Sequence, residues 1–99
     1  MSPHHSNNDV MEFFSAILSL ENEDECSAFF EDVCTFKELN DIAQRLRAAK
    51  LLKSGASYTE ISGATGMSTA TISRVNRCLA YGSGGYKMVI ERMEKKSDK

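Results

Sequence analysis

Ninety-nine residues with 41% hydrophobic and 26% charged side chains describe one ordinary globular domain and leave no room for a second independent core. No apolar run approaches the ~18 residues of a membrane span, no secretory leader opens the chain, and Cys26, Cys34 and Cys78 are spaced neither as a disulfide framework nor as a metal site, which points to a reduced, cytoplasmic protein. The net charge of −2 argues against a nucleic-acid partner only until it is followed along the chain, since residues 1–40 carry −8 and residues 41–99 carry +6.

The polar stretch 1–8, with His4 and His5, reads as a disordered tail, and 9–99 as a single domain. Val10, Phe13, Phe14, Ile17 and Leu18 recur at helical spacing, which predicts an amphipathic helix from Asp9 to Leu20 capped by Asn8 or Asp9. Cys26, Phe29, Phe30 and Val33 repeat the pattern from Glu23 to Cys34, as core or dimer interface. Thr35 and Glu38 form a capping box that opens a third helix, running through Leu39, Ile42, Ala43, Leu46, Ala49 and Leu52 to a stop at Gly55. Its polar side carries Arg45, Arg47, Lys50 and Lys53, by default a solvated face. Tyr86, Val89, Ile90 and Met93 share a face of a last helix, Tyr86 to Lys96, behind the hinge Gly82-Ser83-Gly84-Gly85. That makes about six helices in an all-α fold, without strand-like alternation.

The segment between these helices carries the function. Ser57 and Glu60 form a second capping box, Ile61 and Ala64 face inward, Gly66 permits a tight turn, Met67 plugs the turn and Ser68 caps the next helix. Ile72 and Val75 then return to pack on Ile61, with Leu79 one turn further. Helix, glycine turn and helix within some twenty residues is the layout of a DNA-binding helix-turn-helix. Thr69, Ala70, Thr71, Ser73, Arg74, Asn76 and Arg77 face outward, small or polar first and basic later. Small side chains let a helix enter the major groove, methyl groups meet thymine methyls, and Arg bonds guanine or phosphate. Ser68 and the N-terminus of the helix it caps can hold a phosphate, and Ser57, at the start of the preceding helix, is counted among the DNA-contacting candidates. Helical hairpins with glycine turns are also common packing devices, but here spacing, glycine and basic face agree.

Gln44 to Leu79, QRLRAAKLLKSGASYTEISGATGMSTATISRVNRCL, resembles the core of the Trp repressor family, and STATISRVNRCL followed by YGSGGY is similar to its YerC/YecD branch. The resemblance covers the middle and C-terminal half; the N-terminal helices match in kind. It implies an intertwined, all-α homodimer whose two helix-turn-helix units meet successive major grooves. It puts Thr69, Ala70 and Thr71 where the repressor reads bases, and Thr59 where an arginine of the preceding helix reaches DNA. Arg74 matches one of two arginines that enclose the tryptophan corepressor; Arg45 or Arg47 matches the other, a one-residue gap before Gly55 leaving both open. Val75 stands where the repressor has glycine beside the indole, so tryptophan is not expected as effector and no cofactor is implied.

The resulting reading is a sequence-specific, homodimeric transcription regulator, a repressor by family, that binds double-stranded DNA. The alternative is a helix-turn-helix module for docking another protein, to which the acidic N-terminal half lends some support. An enzyme is the third and weakest reading, because Glu60 and the cysteines have no base beside them in any visible constellation.

Overall fold

The structure, a computed structural model, describes residues 7–97. These hold six α-helices and no strand: α1 (Asn8–Leu18), α2 (Glu23–Val33), α3 (Phe36–Lys53), α4 (Tyr58–Thr65), α5 (Thr69–Tyr81) and α6 (Gly85–Ser97). Residues 1–6 of the expected tail lie outside the described residues. Its last two do not behave as a tail: the Asn7 side chain accepts from the Asp9 N–H at 2.7 Å as N-cap, and Asn8 already belongs to α1. An Asn side chain satisfies a free helical N–H one residue earlier than Asn8 or Asp9 would.

By its internal contacts the chain divides into two compact units, Met1–Leu39 and Asn40–Lys99, and α3 has residues in both. In the first unit Asn22 caps α2 by accepting from the Glu25 N–H at 2.9 Å, and Glu23, Asp24 and Glu25 crowd its first turn, where the helix dipole favours negative charge. Phe13, Phe29 and Phe30 form a ring cluster with centroids 5.6–6.4 Å apart, two of the three pairs edge-to-face. Even so, neither α1 nor α2 contains a buried residue. Leu18, Val33 and Phe36 remain 84%, 50% and 87% exposed. The helical stripes legible in the sequence are present, and within one chain they are largely uncovered.

The second unit has the core. Ala48 and Ala49 of α3, Ile61 of α4, Ile72 and Val75 of α5 and Ile90 of α6 are buried in one cluster, with Leu46, Leu51, Leu52, Ala56, Tyr58, Met67 and Tyr86 packed around it. The two alanines allow α3 to lie close against the helices that follow. At its end the Gly55 N–H donates to Leu52 and the Ala56 N–H to Leu51, both at 3.0 Å, which satisfies carbonyls the helix leaves open. A Lys53–Glu94 ion pair of 3.2 Å ties α3 to α6 at the surface, where such a pair adds little. Of the last helix's expected face, Ile90 is buried and Tyr86 half-buried, while Val89 and Met93 stay 40% and 39% exposed. The turn into α6 is set by Gly82: a Cβ there would collide with the Cys78 carbonyl oxygen, to which the Gly82 N–H donates at 2.8 Å.

Both predicted capping boxes form. The Thr35 N–H donates to Glu38 Oε1 at 2.8 Å and the Glu38 N–H to Thr35 Oγ1 at 3.1 Å; the Ser57 N–H donates to Glu60 Oε1 at 2.7 Å and the Glu60 N–H to Ser57 Oγ at 3.1 Å. The bonds from the Thr35 and Ser57 backbones, then those from their side chains, hold both carboxyls below their ordinary value of 4.5. A group depressed in the folded state stabilises it above its unfolded value, and that contribution is lost as pH falls through the folded one. Thermal midpoints should therefore decline below about pH 4.5, with a shallower decline in the Glu38→Gln, Glu60→Gln double variant. Parallel pH profiles for the two proteins would show that the boxes do not contribute.

Candidate nucleic-acid interface

The helix-turn-helix is built on α4 and α5. Gly66 ends α4 in the left-handed region at φ 76°, a conformation most L-residues avoid. Thr65 Oγ1 donates to the Ile61 carbonyl at 2.7 Å and accepts from the Met67 N–H at 3.2 Å, while Ser62 Oγ donates to the Met67 carbonyl at 2.8 Å. Side chains thus satisfy the turn's backbone, which fixes the angle between the two helices. Ala64, expected inward, is exposed. The inner place one turn after Ile61 goes to Thr65, half-buried, whose hydroxyl pairs back into the helix. Met67 is half-buried against the core rather than fully enclosed.

Arg47 Nη1 donates to the Ala64 carbonyl at 3.1 Å, bracing the end of α4 from α3. That decides which arginine faces the α5 cavity. Arg45, Thr71, Arg74, Val75, Cys78 and Tyr86 line a cavity of about 350 Å³, and Arg47 is not part of it. Arg45 precedes Ala48 and Ala49 by three and four residues, so it shares their helix face; that spacing is readable in the sequence. Tyr86 and Cys78, which complete the wall, were not singled out there as pocket residues; Cys78 lies one turn beyond Arg74 on α5, a spacing the sequence does carry, whereas nothing local in the sequence places Tyr86 of α6 beside the cavity. Burial raises the Tyr86 phenol above its ordinary 10.0, the Cys78 sulfur adds to the rise, and Arg45 opposes it.

Along α5 the buried Ile72 and Val75, with half-buried Thr71, Asn76 and Leu79, form the inner face. Ala70, Ser73, Arg74 and Arg77 form the outer stripe at i, i+3, i+4, i+7, and Thr69 is exposed at its head. Thr71 and Asn76, expected outward, sit on the flanks because Thr71 lies four residues before the buried Val75 and Asn76 four after the buried Ile72. Ser68 caps α5, accepting from the Thr71 N–H at 3.2 Å, and its hydroxyl lies 3.0 Å from that of Thr71. Thr71 is thereby engaged with the cap and lines the cavity as well. Ser57, Thr59 and Ser68 are exposed at the two helix starts.

The sequence profile of the Trp repressor protein family matches residues 8–94. The chain belongs to the Trp repressor family. Protein YerC of Bacillus subtilis (strain 168), itself uncharacterised, is 48% identical over 86 residues, 87% of this chain and 83% of that one. Among solved structures, a TrpR-like protein from Eubacterium eligens ATCC 27750 superposes with a TM-score of 0.90 at 47% identity, covering 94% of this chain and 96% of the other. A candidate Trp repressor from Staphylococcus aureus gives 0.86 at 44% identity, covering 95% of each. These likenesses make the six helices a Trp repressor fold, and α4–α5 its helix-turn-helix. No helix among the described residues is long and apolar enough to cross a membrane.

Proposed function

We propose that the chain is a sequence-specific DNA-binding transcription regulator, a repressor that acts as a cytoplasmic homodimer through α4 and α5. The observation that carries the reading is the outer stripe of α5, Ala70, Ser73, Arg74 and Arg77 under an exposed Thr69, small side chains leading and guanidiniums following. This order suits a helix whose N-terminal end enters the major groove while arginines further along hold phosphate. The dimer rests on the uncovered apolar surface: Leu18, Val33, Phe36 and Ile42 stay 48–87% exposed, and a small chain gains by burying such residues against a copy of itself. Neither a catalytic nor a metal role enters this reading.

Selection from a random duplex library tests both parts. The expected result is an enriched pair of inverted half-sites about one helical turn apart, with affinity falling steeply as salt rises. Enrichment of no sequence, with weak salt dependence, would leave the chain a protein-docking module instead.

Tryptophan is not the effector in this reading. Val75 is only 4% exposed, part of the core and of the cavity wall at once, and by the family resemblance it replaces a glycine that lies beside the indole. Displacing it would cost about 1–3 kcal/mol of overpacking. Titration calorimetry with L-tryptophan should show no saturable heat in the micromolar range, and operator affinity should be the same with and without it. Micromolar binding coupled to a gain in DNA affinity would overturn this point.

A further inference from the structure

Tyr81 is the last residue of α5. It follows Arg77 by four positions and Arg74 by seven, so it continues the outer stripe of Ala70, Ser73, Arg74 and Arg77. The other tyrosines, Tyr58 and Tyr86, pack against the core, whereas Tyr81 stands 87% exposed. Its hydroxyl has no hydrogen-bond partner among the described residues. The cavity beneath the α5–α6 turn, of about 530 Å³, takes Cys78, Gly82, Gly85 and Tyr86 into its lining and leaves Tyr81 outside. A ring left in water contributes little to the fold, and a free phenol is a hydrogen-bond donor. We propose that Tyr81 contacts DNA, donating its phenolic hydroxyl to a backbone phosphate at the edge of the major groove.

This inference rests on the reading of α5 as the helix that enters the groove, and deepens it. The helical rise puts Tyr81 about 16 Å along the axis from Ala70, and the groove is about 12 Å wide. With the N-terminal residues at the bases, the C-terminal end of α5 lies at or past the groove edge, where phosphates are met. Helical side chains lean toward the N-terminus, which brings the phenol back along the stripe towards Arg77. The surrounding charge suits an anion: no Asp or Glu occurs between Glu60 and Glu91, while Arg74, Arg77 and Lys87 are exposed. A tyrosine differs from a third arginine in one measurable way. It holds a phosphate without neutralising it, and so adds affinity with no release of counterions.

The test uses the full-length chain and the duplex enriched from the random library. Tyr81→Phe should weaken that duplex and a scrambled one alike, by about tenfold. Its slope of log affinity against log salt and its melting temperature should stay as in the parent chain. Tyr81→Lys should restore affinity at low salt and steepen the slope by about one for each chain bound. Single methylphosphonate substitutions, each removing one phosphate charge, locate the partner. A single phosphate per half-site should matter to the parent chain and not to Tyr81→Phe. Equal binding by parent and Tyr81→Phe, an unchanged slope in Tyr81→Lys, or no phosphate that distinguishes parent from Tyr81→Phe would overturn the proposal. A changed base preference in Tyr81→Phe would also do so, making Tyr81 a reading residue, and dissociation of a dimer would assign it to the second copy. A parent chain that binds no duplex would remove the reading of α5 and this inference together.

Discussion

Ile72→Ala is expected to destabilise the chain by about 2–5 kcal/mol, the range for truncating a fully buried isoleucine. Ile72 is wholly buried, and it belongs to a cluster of six buried residues drawn from all four helices of the second unit. The deletion removes transfer free energy and leaves a cavity that the neighbouring Ile61, Ile90 and Val75 can close only by moving the helices. Small domains are stable by about 5–15 kcal/mol and those of this size sit near the lower end, so the variant should be close to its unfolding midpoint at room temperature. Urea denaturation followed by helicity measures this, with Ile72→Val as the control at about 0.5–1.5 kcal/mol. An Ile72→Ala midpoint no lower than that of Ile72→Val would mean the core is elsewhere. DNA affinity should fall with the folded fraction, and restore with an osmolyte that refolds the chain, because Ile72 faces away from the outer stripe.

Arg77→Ala should act in the opposite way, sparing the fold and weakening DNA. Arg77 is exposed on the outer stripe. If it holds phosphate, its loss lowers affinity for all sequences together and reduces the slope of log affinity against log salt by about one for each contact removed. A homodimer loses two such contacts. Thr69→Ala should instead leave the slope alone and change the preferred base at one or two positions, by about 1–3 kcal/mol where a direct contact is lost. Thr71→Ala should do both less well, because its hydroxyl is paired with Ser68 and its removal loosens the α5 cap. If Arg77→Ala and Thr69→Ala shift slope and preference alike, the division between positioning and reading is wrong.

The helix-turn-helix was legible from local chemistry. Ser57 with Glu60, Gly66 and Ser68 each specify a backbone state within a few residues, and the structure adopts all of them. What was not legible depends on partners distant in sequence. Ala64 and Thr65 are both small enough to face inward, and only the hydroxyl bond back to Ile61 and the Arg47 brace on the Ala64 carbonyl decide between them. The choice between Arg45 and Arg47 was open because of the one-residue gap before Gly55, although Arg45's spacing to Ala48 and Ala49 was readable, and the role of Tyr86 depends on α6 folding back past α5. At the N-terminus, Asn7, Asn8 and Asp9 are all good caps, so composition could not fix which one ends the tail. The periodic phenylalanines predicted helices and left open whether their faces would be core or dimer interface.

Gly82 bears on how relatives of this chain should be compared. Its place is closed to every side chain by a backbone oxygen, whereas Gly63 and Gly85 have open space where a Cβ would go. In an aligned set of homologues, invariance at 82 would therefore record geometry alone and carry no news of DNA or ligand. Variation at 85 is the informative signal: a lineage that places a bulky residue there has filled the cavity beneath the turn while keeping the same α5.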